Sequence, residues 1–348
     1  GDSNGVCVIP YEHIEVVLAE AEKVFKTDPA HTYLTGHSMG GHGTWFLGVT
    51  YPDRFAAIAP CASYPDIAKY SRPNADAANV GEKHFPMIGQ AANAGRVLDL
   101  RKNFLQSGIY ILHGDSDNVV PIEQVRRMRE ILGTFHPDFC YYEYPGGSHW
   151  YSNESVDWKP IFDYFRWHSV PSADKVKQLE FHTASPAISA KDYWVTINQQ
   201  DTAYDFSSVS FKQTDNGISG TTSNVASLTF DFPALKLPAE ASITIDNETI
   251  PADGTRPAVL KKVSGKWTLV EEIPVTEKYP SRYGGFKQAF DNRVVFVYAT
   301  GGNKEENTWY QNKARFDAET FLYRGNGSID VIADKDFIPS AYADRNVV

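Results

Sequence analysis

Tyr33-Leu34-Thr35-Gly36-His37-Ser38-Met39-Gly40-Gly41 is a G-x-S-x-G run that follows a short apolar stretch and leads into a helix-like segment. Strand, sharp turn and helix in that order make a nucleophile elbow, which lifts a serine hydroxyl clear of a sheet. The glycines at 36 and 40 are expected on steric grounds. The serine backbone is strained, and side chains two residues to either side would collide with the turn. Ser38 is therefore a candidate nucleophile, provided that an acid and a base follow in the order this turn requires.

Both follow. Ile109-Tyr110-Ile111-Leu112-His113-Gly114-Asp115-Ser116-Asp117-Asn118-Val119-Val120-Pro121 is an apolar strand that ends in a turn bearing two aspartates. Tyr144-Pro145-Gly146-Gly147-Ser148-His149-Trp150 is a Gly-rich loop that presents a histidine after the apolar-aromatic run Phe139 to Tyr144. The order Ser, Asp, His differs from the orders in the chymotrypsin and subtilisin types. The gap from Ser38 to Asp117 has room for two further strand-helix units, and the gap from Asp117 to His149 for one.

The residue types fit the chemistry. A serine hydroxyl is a poor nucleophile at neutral pH and needs a base to take its proton. His149 is placed to do so and to return that proton to a leaving group. A buried carboxylate would hold the imidazole in the right tautomer. The backbone N–H of Met39, opening the helix after Ser38, would supply one half of an oxyanion hole. Asp117 is expected in the acid role, and Asp115 is expected to bond turn amides, as turn aspartates commonly do.

Other residues near these runs have blander readings. His37 is expected to pack beside the nucleophile. His42 and His113 match no ligand spacing and are expected to be satisfied structural histidines, with no metal implied. Trp45 and Phe46 read as core; Tyr64, Trp150 and Tyr151 either line a cleft or pack. Arg126, Arg127 and Arg129, with Glu123 and Glu130, read as the solvated face of a helix.

Residues 11 to 168 resemble the prolyl-oligopeptidase-like (peptidase S9-like) branch of the α/β-hydrolases, particularly bacterial esterases and peptidases of that type. Asp28-Pro29-Ala30-His31-Thr32-Tyr33-Leu34-Thr35-Gly36-His37-Ser38-Met39-Gly40-Gly41 carries the likeness, with Tyr51-Pro52-Asp53-Arg54-Phe55-Ala56-Ala57-Ile58-Ala59-Pro60 and the two downstream motifs. The resemblance implies hydrolysis of an ester or amide through an acyl-enzyme, with no cofactor. The substrate is left open, small-molecule or polymeric, ester or peptide, because this fold hosts many activities. Such enzymes place several strands, and the loop giving the second oxyanion-hole amide, before the elbow. Only 37 residues precede Ser38 here. Residues 12 to 26 read as one amphipathic helix, broken by Thr27-Asp28-Pro29, and Gly1-Asp2-Ser3-Asn4-Gly5 reads as the tail of a loop. The chain is thus expected to begin inside the fold, lacking N-terminal strands, with one identifiable oxyanion donor. A binding module that keeps the motifs without a competent site is a second expectation on that ground.

Composition agrees with a globular enzyme. The chain has 348 residues, enough for two or three domains with proper cores. Hydrophobic residues at 42% and charged residues at 22% indicate neither disorder nor a membrane protein. A net charge of −10 argues against a nucleic-acid partner, which needs a basic footprint. No apolar run is long enough to span a bilayer as a helix. Cys7, Cys61 and Cys140 form neither a disulfide framework nor a metal signature. Asn153, Asn247 and Asn326 stand in glycosylation sequons. The oligomeric state is not legible.

The character of the chain changes near residue 170. Phe162 to Trp167 ends the hydrolase pattern, and Pro171-Ser172-Ala173-Asp174 reads as a linker. Asp192 to Ile197, Val225 to Phe232 and Ser242 to Asp246 alternate, with turn residues between, which suggests a β-sandwich-like region over 175–280. Its expected role is a packing or lid module, or recognition of a polymeric substrate. From 285, the buried-type strand Arg293 to Thr300 enters Gly301-Gly302, a helix follows around Trp309 to Tyr323, and Ser328 to Asp334 is a further strand. Asn346-Val347-Val348 starts a third. This order suggests a parallel α/β element. The Gly301-Gly302 loop lacks the spaced third glycine and lysine of a phosphate cradle. The expected architecture is therefore an α/β-hydrolase catalytic domain over 1–170, a β-rich accessory domain and a terminal α/β element.

Overall fold

The computed structural model describes residues 12–66, 86–283, 289–290 and 292–348. Cys7 and the Gly1–Gly5 stretch lie outside them. Helix α1 (Glu12–Phe25) comes first, with Leu18 packed on the core and Glu22 2.7 Å from Arg54. Asp28 then accepts from the Ala30 amide and caps the short turn Pro29–His31, after which the chain runs extended.

Four parallel strands form the first sheet: β1 (Tyr33–His37), β2 (Ala57–Cys61), β3 (Gly108–Gly114) and β4 (Phe139–Tyr144), in the order β1-β2-β3-β4. Among the described residues β1 pairs only with β2, so the strand that leads into Ser38 lies at an edge of their sheet. Helix α2 (Met39–Thr50) connects β1 to β2, α3 (Glu123–Leu132) connects β3 to β4, and α4 (Lys159–Phe165) follows β4.

The strand period of two distributes the apolar residues to two faces. Ile58, Ile109 and Ile111 join Trp45, Val49, Val125 and Met128 beneath α2 and α3. Ala57, Ala59, Tyr110 and Leu112 join Ile161 and Phe165 beneath α4. Burying each isoleucine, leucine, valine, methionine or phenylalanine among them contributes roughly 1.5–3 kcal/mol. Trp45, fully buried with its indole N–H on Ser63 Oγ at 3.1 Å, anchors the first face. The charged face of α3 is only partly a solvated one. Arg126 donates twice to Glu143 on β4, at 2.9 and 2.7 Å, and Arg129 lies over the Tyr141 ring. The Arg126 bonds hold the Glu143 carboxyl down at about 2.

Ten strands follow: β5 (Gln178–Thr183), β6 (Lys191–Asp192), β7 (Val195–Gln200), β8 (Ser207–Thr214), β9 (Gly217–Ser223), β10 (Val225–Phe230), β11 (Glu240–Ile245), β12 (Glu248–Asp253), β13 (Ala258–Val263) and β14 (Lys266–Val270). They make two five-stranded sheets, β14-β13-β10-β7-β6 and β12-β11-β9-β8-β5. Both contribute to one apolar cluster that includes Phe181, Trp194, Phe211, Phe230, Ile243 and Leu260. The alternating run Asp192 to Ile197 is not one strand. It is the tight reversal between β6 and β7, with Tyr193 at φ 44°. Burial of Trp194, whose indole N–H donates to Val176 O at 3.0 Å, holds the chain in that reversal.

Side chains sew this region to the segment that carries the first sheet. Asn103 donates to Val49 O at 2.7 Å and His182 O at 2.8 Å, and accepts from the His182 amide at 2.8 Å. Ser189 Oγ donates to Thr50 O, and Asn93 to Tyr204 O. The described residues up to Arg282 accordingly form one compact unit, and those from Tyr283 to Val348 a second.

In the second unit, β15 (Val294–Tyr298) is the middle strand of a parallel sheet with β16 (Asp330–Ala333) and β17 (Asn346–Val347). Helix α5 (Lys304–Gly325) joins β15 to β16 and starts with a capping box between Asn303 and Glu306. The amides of Thr300, Gly302 and Asn303 are taken by Asp334, Asn307 and Glu306, so the Gly301-Gly302 loop is spoken for by its own side chains.

Candidate active site

The elbow is strained at its apex. Ser38 has φ 59° and ψ −117°, a conformation that costs a non-glycine residue about 1–3 kcal/mol. Its amide donates to Cys61 O at 3.0 Å, and its carbonyl accepts from His42 N at 3.0 Å as α2 begins. The steric expectation for the glycines holds at Gly36, where a Cβ would run into the carbonyl of Gly40. It fails at Gly40 itself, where a Cβ would meet nothing within 4 Å. The crowded position is Gly41, whose Cβ would lie 2.5 Å from Ser63 Cβ and 2.6 Å from Cys61 O. The helix packs flush on the end of β2 there, whereas Gly40 faces open space. The Met39 amide stands in the first turn of α2, where backbone N–H groups have no intrahelical partner and the helix dipole is positive.

The two aspartates after β3 do different things. Asp115 Oδ1 accepts from the Gly146 amide at 2.7 Å and from Ser116 Oγ, holding the loop. Asp117 Oδ1 accepts from the amides of Val119 and Val120 at 2.8 and 2.9 Å, and its Oδ2 accepts from His149 Nδ1 at 2.8 Å. Burial would raise the Asp117 carboxyl, but the bonds from His149, Val120 and Val119 outweigh it and hold it below its ordinary value. Gly114 is what lets the two loops meet, since a Cβ there would strike the Gly147 carbonyl.

The elbow reaches the same place through His37. Its Nε2–H donates to His149 O at 2.8 Å, and the two rings lie 4.8 Å apart. Trp150 stacks on His37, with centroids 3.8 Å apart. His37 was expected only to pack; it also ties the residue before Ser38 to the loop of His149. Burial keeps its imidazole neutral by pushing its pKa down. His149 is buried at 7% exposure, with Nδ1 engaged and Nε2 the ring nitrogen left for a hydroxyl. His113 is not the satisfied histidine expected from the sequence. It is fully buried, its Nε2 lies 2.9 Å from Val120 O and 3.3 Å from Asp117 Oδ2, and its Nδ1 has no partner. A histidine at the end of the strand leading to the Asp115–Asp117 turn was the signal available for that contact.

Of the remaining residues, Trp45 and Phe46 are core, and His42 stacks on buried Tyr64 and bonds its carbonyl. Tyr151 stacks on Tyr144. Trp150, at 62% exposure, and the exposed Met39 and Val119 are apolar groups beside His149, Ser38 and Asp117 in sequence. Among the described residues, no three His, Cys, Asp or Glu side chains gather to hold a metal ion, and no helix is long and apolar enough to cross a membrane.

Residues 13–163 match the Esterase family model, described as "Putative esterase". A protein of Arthroderma benhamiae, described as an "uncharacterized secreted protein", is 34% identical over 119 residues, covering 34% of this chain. The chain matches only 13% of that relative's length. Among solved structures, a thermostable esterase is similar at 21% identity and a TM-score of 0.33, over 46% of this chain and 37% of that one. S-formylglutathione hydrolase from Staphylococcus aureus aligns at 16% identity and a TM-score of 0.33, over 45% and 59%. A puromycin-hydrolyzing peptidase of Mycobacterium tuberculosis aligns at 21% and 0.34, over 43% and 23%. Taken with the parallel sheet and the elbow, the match over residues 13–163 supports an α/β-hydrolase-like fold for that segment.

Proposed function

We propose that this chain hydrolyses carboxylic esters through an acyl-enzyme, with Ser38 as nucleophile, His149 as base and Asp117 as the residue that orients it. The observation that carries the reading is the 2.8 Å bond from His149 Nδ1 to Asp117 Oδ2, made on a loop that His37 ties to the strained Ser38 turn. Ser38 Oγ attacks the carbonyl carbon while His149 Nε2 takes its proton. The carbonyl oxygen becomes an oxyanion at the Met39 amide. The C–O bond breaks, and the leaving alkoxide takes the proton back from His149. Water then attacks the acyl-enzyme, giving its proton to His149, which returns it to Ser38 as the acid departs.

The leaving group must lie where His149 can protonate it, and the residue after His149 is Trp150. One face of its ring is backed by His37, while most of its surface is open. A pinned aromatic face suits a ring-shaped leaving group, which supports an acylated carbohydrate over a simple alkyl ester.

The first test is fluorophosphonate labelling of the chain and of Ser38→Ala. Labelling of the parent alone is the expected result, followed by turnover of acetyl or feruloyl esters. Absence of labelling would favour a non-catalytic binding module. A preference for an aminoacyl-proline amide would overturn the esterase assignment in favour of a peptidase.

A further inference from the structure

His113 is fully buried next to the last residue of β3. A backbone carbonyl only accepts, so the 2.9 Å approach of Nε2 to Val120 O places the ring proton on Nε2. The same N–H is 3.3 Å from Asp117 Oδ2. Nδ1 is then a bare acceptor, and no described group donates to it. An apolar side chain would fill the space without leaving a buried polar atom unpaired. What a histidine offers there is the reach of Nε2.

The contacts form a closed ring. Val120 gives its amide to Asp117 Oδ1 and its carbonyl to His113, and His113 faces the second carboxylate oxygen. The carboxylate therefore cannot turn about its own axis without breaking contacts on both oxygens. The fourth donor also draws charge from Oδ2, the oxygen that holds His149.

We propose that His113 is a positioning residue for Asp117: its Nε2–H, clamped on the Val120 carbonyl, fixes the carboxylate plane and moderates how strongly Oδ2 holds His149. This rests on the triad reading above. The groups facing this cluster are His37 from the elbow, Glu143 from β4 and Tyr151 from the His149 loop. Burial lowers the pKa of His113, so it enters as a neutral donor rather than a charge.

The test is the pH dependence of fluorophosphonate labelling of the whole chain, its His113→Gln and its His113→Asn variants. Labelling needs His149 as a free base, so its acid limb reports how well the imidazolium is stabilised. The Gln amide nitrogen reaches the position of Nε2, and the Asn amide nitrogen falls short of it. Expected for Gln is a limb that matches the parent. Expected for Asn is a limb moved up by roughly half a unit, as one donor is lost from the carboxylate, with a plateau about tenfold slower. A slow Asn plateau with an unmoved limb would mean that His113 only packs, and a limb moved equally by Gln would also overturn the proposal. The low-field proton resonance of His149 Nδ1–H gives a second reading that does not need the Asn variant to fold. It is expected at the same position in the parent and His113→Gln, and its displacement in Gln would count against the role. A parent chain that never labels at Ser38 overturns the triad reading, and this proposal with it.

Discussion

Asp117→Asn is the substitution that interrogates the proposed triad most directly. The Asn oxygen can replace Oδ1 and keep the Val119 and Val120 amides, which lie at 2.8 and 2.9 Å. Its NH2 then occupies the place of Oδ2, 2.8 Å from His149 Nδ1. A donor there forces His149 to present Nδ1 as an acceptor, so the ring proton moves to Nε2, the nitrogen needed as base. The same NH2 also faces the Nε2–H of His113, donor against donor, at 3.3 Å. In serine hydrolases with an equivalent geometry, the wrong tautomer lowers kcat by roughly 10³- to 10⁴-fold, or about 4–5.5 kcal/mol of transition-state stabilisation. The assay is kcat/KM for a p-nitrophenyl acyl ester at neutral pH. Asp115→Asn is the control. Its carbonyl can still accept from Gly146 and Ser116, and its activity should stay within about tenfold of the parent. An Asp117→Asn chain within tenfold of the parent, or an equal loss in both variants, would refute the reasoning.

Two further substitutions test the fold around the site. Gly41→Ala should destabilise by about 1–3 kcal/mol in urea unfolding, because its Cβ meets Ser63 and Cys61. Gly40→Ala should stay within about 1 kcal/mol of the parent, and equal effects at both would mean that α2 does not sit on β2 as described. Asp192 is fully buried, with Oδ1 unpartnered and Asp53 nearby, and burial raises its carboxyl well above the ordinary 3.8. A raised value means that stability is intact below pH 3.8 and is lost as pH rises toward the folded-state value. Asp192→Asn should therefore gain on the parent between pH 4.5 and 8 in urea midpoints, and a constant difference across that range would argue against a buried titrating carboxyl.

The backbone devices of the site were legible in the sequence because tight geometry restricts residue choice. Gly36 and Gly114 mark places where two chain segments nearly touch, and the Ser, Asp and His runs stand beside them. Apolar runs such as Ile109 to Leu112 announced strands buried on both faces. What stayed hidden were contacts between distant side chains. Nothing in the local text says that His37 and Trp150 stack, or that the His113 nitrogen faces Asp117 rather than solvent. The crowding at Gly41 rather than Gly40 depends on how α2 meets Ser63, a tertiary fact. The run around Tyr193 alternates like a strand, and only the burial of Trp194 makes it a reversal.

The side chain of Asn103 has a mechanical consequence. One buried amide holds the last turn of α2, the helix after Ser38, and the first strand of the β-rich region, using both its hydrogens and its oxygen. A joint that swings must trade such bonds for water as it opens, and no water reaches a side chain this buried without separating the two surfaces. The junction is a weld rather than a hinge. Across the described residues, the β-rich region therefore moves with the first sheet as one body.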